Sequence, residues 1–206
     1  AGGDAERQKR AAARQAGAVV RADVAHPVVA AHVVNQPNEA AIKFGELVAL
    51  MAPRVDLFLI ETVSSTQEAE GALLGTEGCG KPVWLALTVN DHDGTRLRSG
   101  EALADIQPLV DRFKPEAVLI NCSRPEAIPA ALDIISGFGR KFGAYANGFT
   151  GITQAFLEDA PTVDALHSRT DLGPEAYARL AMGWVDQGAT IVGGCCEVGP
   201  EHIAEL

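Results

Sequence analysis

The sequence predicts an α/β protein whose parallel sheet is covered by helices. Six short apolar runs alternate with segments of helical periodicity, and continuous apolar strands between amphipathic helices are typical of such a sheet. Polar and sulfur-containing residues come directly after several of the runs, at the strand ends where (β/α) barrels carry their sites. No G-x-G-x-x-G segment follows any run, as the first turn of an open dinucleotide-binding sheet would require. A (β/α) barrel is therefore favoured over an open doubly wound sheet.

The six apolar runs are predicted strands because each is short and is bounded by polar, proline or glycine residues. In chain order they cover residues 28–34, 55–60, 82–89, 117–120, 142–146 and 189–192. The run at 55–60 ends in Glu61 and Thr62, and the run at 117–120 ends in Asn121 and Cys122. Side chains able to do chemistry are thus expected at one end of the sheet.

The segments between the runs are predicted helices, and in the segment 38–52 the apolar residues recur at mixed spacings of three and four. They cover residues 4–18, 38–52, 65–74, 100–113, 125–136 and 174–187, and Pro200 begins a last helix. Residues 4–18 are rich in good helix formers, Ser64 or Ser65 is the expected N-cap of the segment 65–74, and Pro125 suits a first helical turn. The longest irregular stretch, residues 148–172, is expected to form a lid or an excursion over the barrel mouth.

Composition and charge exclude several classes of protein. The chain has 206 residues, of which 47% are hydrophobic and 21% charged, so it can bury a core and is not a disordered chain. Its net charge is −10, and it lacks the clustered cations that nucleic-acid phosphates need. No uncharged apolar run approaches the ~18 residues of a membrane span, and the polar, basic start does not resemble a signal peptide. We expect a cytoplasmic protein with no nucleic-acid partner and no membrane association.

Three of the four cysteines lie at predicted strand ends. Cys122 follows one run while Cys195 and Cys196 follow another, and in a parallel barrel all strands end on the same face. Thiolates suit Zn²⁺, and three protein ligands leave a fourth position open, as in catalytic zinc sites. Adjacent strand residues point to opposite faces, so the vicinal pair shares one ion only if the backbone leaves strand geometry, which Gly193 and Gly194 would permit. The alternative is a vicinal pair buried by ordinary packing.

A zinc ion held by three thiolates favours one class of reaction. A substrate thiol is a better fourth ligand than water, because zinc lowers its pKa and binds it as a thiolate near neutral pH. The electron-rich sulfur set leaves that thiolate nucleophilic, which predicts alkyl transfer to the substrate sulfur. A zinc hydrolase would need a general base and usually His or carboxylate ligands. Cys79 lies in a glycine-rich turn and is expected to be incidental.

From about residue 28 onward the sequence resembles the homocysteine S-methyltransferase family. The resemblance rests on residues 188–196 (GATIVGGCC), 199–203 (GPEHI), 120–125 (INCSRP), 147–149 (NGF) and 56–62 (DLFLIET). This family is a zinc-dependent (β/α)8 barrel that transfers a methyl group to the thiol of L-homocysteine and gives methionine. The resemblance therefore implies that Cys122, Cys195 and Cys196 are the three zinc ligands.

The resemblance also implies roles for other strand-end residues. Glu61 is similar to the carboxylate that holds the homocysteine ammonium, with a charge at a helix N-terminus as the alternative. Asn121 and Asn147 are expected either to hydrogen-bond the substrate or to organise the mouth of the barrel. His202 falls inside the final helix, where a surface or packing role is expected. The acidic loop 91–94 is expected to cap the following helix or to face solvent, since it does not match the cobalamin motif Asp-x-His-x-x-Gly.

The methyl donor expected from the family is a sulfonium, S-methylmethionine, with S-adenosylmethionine and betaine as alternatives. A non-enzymatic zinc- or thiol-binding module is the alternative to an enzyme, and a homo-oligomer is left open. The family opens with a strand bearing an Asp-Gly-Gly motif and then a second strand, and neither is recognisable here. We therefore expect residues 1–206 to form a single homocysteine-binding (β/α)8 barrel domain that is N-terminally incomplete and lacks its first two strands, leaving two bare sheet edges.

Overall fold

The computed structural model describes residues 37–153, 156 and 165–206. The helix predicted over residues 4–18, the strand predicted over residues 28–34 and part of the irregular stretch 148–172 lie outside the described residues. Within the described part, every helix is too short or too polar to cross a bilayer.

Five parallel strands form one sheet in the described part of the chain. They are β1 (Phe58–Val63), β2 (Val83–Leu87), β3 (Ala117–Asn121), β4 (Lys141–Tyr145) and β5 (Ile191–Val192). Neighbours in the sheet follow chain order, β1–β2–β3–β4–β5, and every pair is parallel. A doubly wound sheet reverses its strand order at a switch point, and the described strands contain no such reversal. The predicted α/β class and parallel sheet are confirmed.

Helices lie before, between and after these strands. They are α1 (Pro37–Met51), α2 (Thr66–Thr76), α3 (Gln107–Phe113), α4 (Ile128–Ile135), α5 (Pro174–Asp186) and α6 (Pro200–Glu205). Ser65 is the N-cap of α2, and its hydroxyl accepts a hydrogen bond of 3.1 Å from the backbone N–H of Glu68, as expected. The predicted helix at 100–113 is shorter than expected, because a 3₁₀ turn at Leu103–Ile106 precedes α3. The predicted helix at 125–136 begins only at Ile128, after a turn at residues 125–127, and gives way to a 3₁₀ turn at Ser136–Phe138.

The two faces of the sheet are packed differently. On one face, side chains such as Leu85, Val118 and Ile120 join helices α2 to α5 in the main hydrophobic core. The other face carries a small cluster that contains Leu119 and Tyr145 and no helical residue among those described. A barrel has its helices outside and layers of strand side chains inside, and the packing of the described residues is compatible with that arrangement.

At the carboxyl end of the sheet, strand β1 ends later than predicted. The expected run ended at residue 60, but β1 continues through Glu61 and Thr62 to Val63. Pairing with β2 shifts register between Ile60 and Val63, and Thr62 has a φ of 61°. The run of apolar residues could not reveal this irregular end of β1, because Glu61 and Thr62 interrupt the hydrophobic pattern.

Candidate metal centre

Three sulfur atoms meet at the carboxyl end of the sheet. Cys122 follows β3 directly, and Cys195 and Cys196 come shortly after β5 ends at Val192. The three Sγ atoms lie within 4.8 Å of one another, and those of Cys195 and Cys196 are 3.8 Å apart. The convergence expected from the strand-end positions is therefore present in the structure.

The side chains of Cys195 and Cys196 can both join the sulfur cluster because β5 ends before them. The backbone has left strand geometry by Gly193, so Cys195 and Cys196 lie in a turn, as expected. The reason differs from the prediction, because neither Gly193 nor Gly194 is among the described glycines with positive φ. Gly194 is needed for close packing instead, since a Cβ there would lie 2.2 Å from Cγ1 of Val198.

The backbone at Cys122 is strained and held by several partners. Its φ of 48° lies in the left-handed region, which costs a residue with a Cβ about 1–2 kcal/mol. Its carbonyl oxygen accepts a 2.9 Å hydrogen bond from Nδ2 of Asn147. Longer contacts to the same oxygen come from Oγ1 of Thr88 at 3.4 Å and Nη2 of Arg98 at 3.5 Å. Strain that is over-determined in this way is characteristic of functional sites.

The loop after β4 fastens the vicinal pair to the sheet. The backbone N–H of Gly148 donates to the carbonyl of Cys196 at 2.8 Å, and the N–H of Cys195 donates to the carbonyl of Ala146 at 2.9 Å. Tyr177 from α5 adds a bond of 2.6 Å from its hydroxyl to the carbonyl of Gly193. The loops that carry the cysteines are thus held together through the loop after β4.

The three thiols shift one another's pKa, and the net shift of Cys122 and Cys195 is upward. A hydrogen bond with Cys195 lowers the pKa of Cys122, but the hydrogen bond with Cys196, burial and the charge of Cys196 raise it by more, to about 12. Hydrogen bonds with Cys122 and Cys196, together with burial, also raise the pKa of Cys195. Three sulfur atoms this close cannot all ionise unless a cation joins them. The three sulfur donors therefore fit a divalent ion that accepts thiolate ligands, such as Zn²⁺, which binds thiolates at tetrahedral sites.

Glu61 faces a tyrosine that sequence patterns did not single out. The hydroxyl of Tyr145 donates a 2.8 Å hydrogen bond to Oε1 of Glu61. Burial and the charge of Glu61 raise the pKa of Tyr145 well above its usual value, and the nearby Cys195 and Cys122 add to the effect. The carboxylate, the phenol and the sulfur cluster are therefore neighbours.

Asn121 and Asn147 are fully buried, and both side-chain amides have protein partners. Oδ1 of Asn121 accepts from the backbone N–H of Thr62, and its Nδ2 donates to the hydroxyl of Thr62, each at 3.0 Å. Asn147 accepts from the N–H of Phe149 at 3.1 Å while it donates to Cys122. Each amide thereby fixes an adjacent strand-end loop.

The profile of the homocysteine S-methyltransferase family matches residues 12–206. The chain belongs to the homocysteine S-methyltransferase family. Homocysteine S-methyltransferase 1 of Zea mays is 28% identical over 158 residues, which is 72% of this chain and 44% of that protein. Homocysteine S-methyltransferase 1 of Arabidopsis thaliana is 29% identical over 152 residues, with the same two shares. The chain thus spans less than half the length of these relatives.

Solved structures support the fold of this family member. The apo form of the homocysteine methyltransferase MmuM from Escherichia coli aligns with a TM-score of 0.64 at 23% identity, covering 85% of this chain and 58% of that one. The metallated form aligns with a TM-score of 0.60 at 25% identity, covering 81% of this chain and 51% of that one. The first likeness speaks for the fold alone.

Two further residues of this homocysteine S-methyltransferase family member, Cys79 and His202, are not part of the sulfur cluster. Cys79 lies in the turn before β2, at the opposite end of the strands, with Sγ 3.6 Å from the carbonyl of Lys81. His202 caps α6, because its Nδ1 accepts a 3.2 Å hydrogen bond from the N–H of Gly199, and its ring packs edge-on against Tyr177. The expected packing role of His202 is confirmed.

The acidic loop 91–94 faces solvent only in part, so the sequence prediction was wrong for Asp91. Asp93 is exposed, but Asp91 is buried and forms a 3.0 Å ion pair with Arg98. The carboxylate also accepts hydrogen bonds from the backbone N–H groups of Arg124 at 3.2 Å and Ile152 at 2.7 Å. The position of Asp91 just after a predicted strand was the one signal that could have indicated burial at the site.

Proposed function

We propose that the protein is an enzyme that transfers a methyl group to the thiol of L-homocysteine and produces methionine. The observation that carries the proposal is the cluster of three thiols, Cys122, Cys195 and Cys196, at the carboxyl end of a parallel sheet in a chain of this family. Active sites of (β/α) barrels lie at that end. We also propose that the five strands belong to one (β/α)8 barrel domain.

Cys122, Cys195 and Cys196 would hold Zn²⁺ through their thiolates. When bound, zinc supplies positive charge that lowers the pKa of a substrate thiol, so that it is present as a nucleophilic thiolate at neutral pH. Three protein ligands leave room for the homocysteine sulfur. Hydrogen bonds with Cys122 and Cys196, together with burial, raise the pKa of Cys195, so a cation among the three sulfur atoms would favour their ionised forms.

Glu61 would bind the ammonium group of homocysteine. The hydrogen bond from Tyr145 fixes the direction of the Glu61 carboxylate. A positioned carboxylate forms a charge-assisted hydrogen bond with an ammonium group, which is about twice as strong as a neutral one. With its amine held there, the amino acid would present its sulfur to the cysteine cluster.

Of the two roles predicted for Asn121 and Asn147, we propose the second, which is to organise the mouth of the barrel. Asn121 supports this through its paired bonds to Thr62, the residue next to Glu61. Asn147 supports it through its bond to the carbonyl of Cys122. Each buried amide already has partners, and an unpaired one would cost about 1–3 kcal/mol.

The reaction would be a single displacement at carbon. The homocysteine sulfur, having lost its proton, attacks the methyl carbon of a sulfonium donor, forming an S–CH₃ bond. The bond between that carbon and the donor sulfur breaks, its electron pair stays on the donor, and a neutral thioether leaves. S-Methylmethionine is the proposed donor, with S-adenosylmethionine as an alternative sulfonium. Betaine is a further alternative, from which a carbon–nitrogen bond would break and a neutral tertiary amine would leave. Cytoplasmic location and homo-oligomer formation stay predictions.

Methionine formation tests the proposal. The zinc-loaded protein is incubated with homocysteine and S-methylmethionine, and methionine is quantified. We expect production by the wild type, loss of production with Cys122→Ser, and wild-type production with the matched control Cys79→Ser. Absence of methionine with all three donors, from a folded protein that retains zinc, would contradict the proposal and favour a zinc- or thiol-binding module.

A further inference from the structure

An ion pair lies beside Cys122 at the carboxyl end of the sheet. Nη2 of Arg98 and Oδ1 of Asp91 are 3.0 Å apart, and the two side chains are only 13% and 6% exposed. Burial alone would raise the pKa of Asp91, but Arg98 and the two backbone donors hold it below its usual value. The pair is therefore ionised and largely shielded from water.

Arg98 reaches Cys122 both directly and through Thr88. Its Nη2 lies 3.5 Å from the Cys122 carbonyl, and its Nε donates to Oγ1 of Thr88 at 3.3 Å. Thr88 in turn lies 3.4 Å from the same carbonyl and 3.3 Å from Oγ of Ser123. The guanidinium group thus braces the residue whose backbone is strained.

Asp91 connects the loop that contains it to two others. Its Oδ1 accepts from the N–H of Arg124, two residues beyond Cys122, and its Oδ2 accepts from the N–H of Ile152 in the loop after β4. That loop also donates to Cys122 and Cys196 through Asn147 and Gly148. The ion pair therefore ties together the loops after β2, β3 and β4.

Stability alone is a poor explanation for a pair in this place. Desolvating two charges often costs as much as their attraction returns, and apolar replacements of buried pairs are frequently neutral or stabilising. A substrate contact is also a poor explanation, because both side chains are shielded and occupied by protein partners. Fixing the backbone that aims the thiol of Cys122 remains as a role that uses every observed contact.

We propose that Arg98, held in place by Asp91, is a positioning residue for the thiol of Cys122. This inference rests on the proposed metal-binding function of the three cysteines. Outer-shell residues of this kind orient metal ligands, and their loss typically weakens metal affinity by about 10- to 100-fold.

Zinc affinity, measured without homocysteine or a methyl donor, tests the inference. The full chain competes for zinc with a chromophoric chelator, and the absorption spectrum of the cobalt-substituted protein reports the geometry of the sulfur ligands. The double variant Arg98→Met/Asp91→Asn removes both charges, so no unpaired buried carboxylate remains. We expect it to bind zinc about 10- to 100-fold more weakly and to shift the cobalt–thiolate absorption.

Arg98→Lys keeps the charge but has only one donor nitrogen, so it cannot bond Thr88 and Asp91 in the same way. We expect its affinity to lie between those of the wild type and the double variant. Arg169→Met is the matched control, because Arg169 is also ion-paired and its side chain is 12% exposed, yet it contacts Glu126 and Asp171 rather than Cys122. We expect this control to retain the zinc affinity and cobalt spectrum of the wild type.

Wild-type affinity and spectrum in a folded double variant would overturn the inference. If the double variant does not fold, Arg98→Lys decides, and wild-type affinity there would overturn it equally. An equally large loss of zinc affinity in Arg169→Met would also overturn it, because the effect would then not depend on contact with Cys122. A wild-type protein that binds zinc but methylates nothing would refute the proposed function alone, because the affinities do not depend on turnover.

Discussion

The two ends of the same five strands are built in different ways. At the carboxyl end, positive φ angles are carried by Thr62, Cys122 and Glu197, which are residues that seldom adopt them. At the amino end, Gly139 and Lys114 have positive φ angles of 69° and 52° at the C-caps of helical turns, where this conformation is common. At the carboxyl end the positive φ angles thus fall on Cys122 and on the residue after Cys196, which fits a site in which side-chain direction matters.

Buried polar groups show the same difference. Asn121, Ser123, Asn147 and Asp91 are all buried at or just after the carboxyl ends of strands. Each has hydrogen-bond partners from a neighbouring strand end or loop. Satisfied polar networks make a local structure rigid, whereas unsatisfied ones are costly. This end of the sheet is thus organised by polar contacts, and the helix-covered core is organised by apolar packing.

Cysteine substitutions should reveal the largest difference between the two ends. We expect Cys195→Ala to abolish retention of zinc, because two thiolates leave the tetrahedral ion short of protein ligands. Cys79→Ala, at the amino end, should retain zinc as the wild type does. Metal content after gel filtration measures both. Equal zinc content in the two variants would contradict the assignment of the cluster.

Glycine substitutions should show how tightly each end is packed. A Cβ on Gly148 would lie 2.9 Å from Cβ of Glu197, so we expect Gly148→Ala to lower the free energy of unfolding by about 1–3 kcal/mol. A Cβ on Gly137, in the 3₁₀ turn before β4, meets nothing within 4 Å. Gly137→Ala should be neutral or slightly stabilising. Urea denaturation measures both, and a stable Gly148→Ala variant would show that the loop can yield.

Removal of one amide tests the polar organisation of the carboxyl end. Asn121→Ala leaves the backbone N–H of Thr62 without its 3.0 Å partner. We expect a loss of about 1–3 kcal/mol in the free energy of unfolding, from the unsatisfied donor and the lost bond. Thermal or urea unfolding provides the measurement. Asn38→Ala, at an exposed position of α1, serves as the control, and an equally large loss there would contradict the role of the Asn121 amide.

The smallest expected effect is a difference in pH dependence. Asp91 has a lowered pKa in the folded protein, so its stabilising contribution is complete above the unfolded pKa of about 3.9 and is lost as the pH falls through the folded value. Glu116, at the amino end, also has a lowered pKa, through a hydrogen bond from Lys141, but it is exposed and screened by solvent. We expect Asp91→Asn to make the free energy of unfolding depend less on pH in the acidic range, and Glu116→Gln to change this dependence little. Chemical denaturation from pH 7 down to about pH 3 distinguishes them, and an identical dependence on pH in the two variants would contradict the contrast.

The elements of the fold could be predicted because each has a local cause. Five predicted strands and the helices between them lie where apolar runs and helical spacing placed them, apart from shifted ends. The cysteine cluster could be predicted because parallel strands end on one face. Asp91, Arg98 and Tyr145 could not be given their roles in this way, since their partners come from other loops and no spacing along the chain reveals a partner across a sheet.

The sequence by itself determined the alternation of strands and helices, the strand-end position of the three cysteines and the family to which the chain belongs. Only the tertiary structure decided which donors hold the Cys122 carbonyl, where the Glu61 carboxylate points and that Asp91 is buried. The physical reason is range. Hydrophobic periodicity acts within a few residues, whereas Asn147 and Arg98 are 25 and 24 positions from Cys122 and meet it only after strands have paired in a particular register.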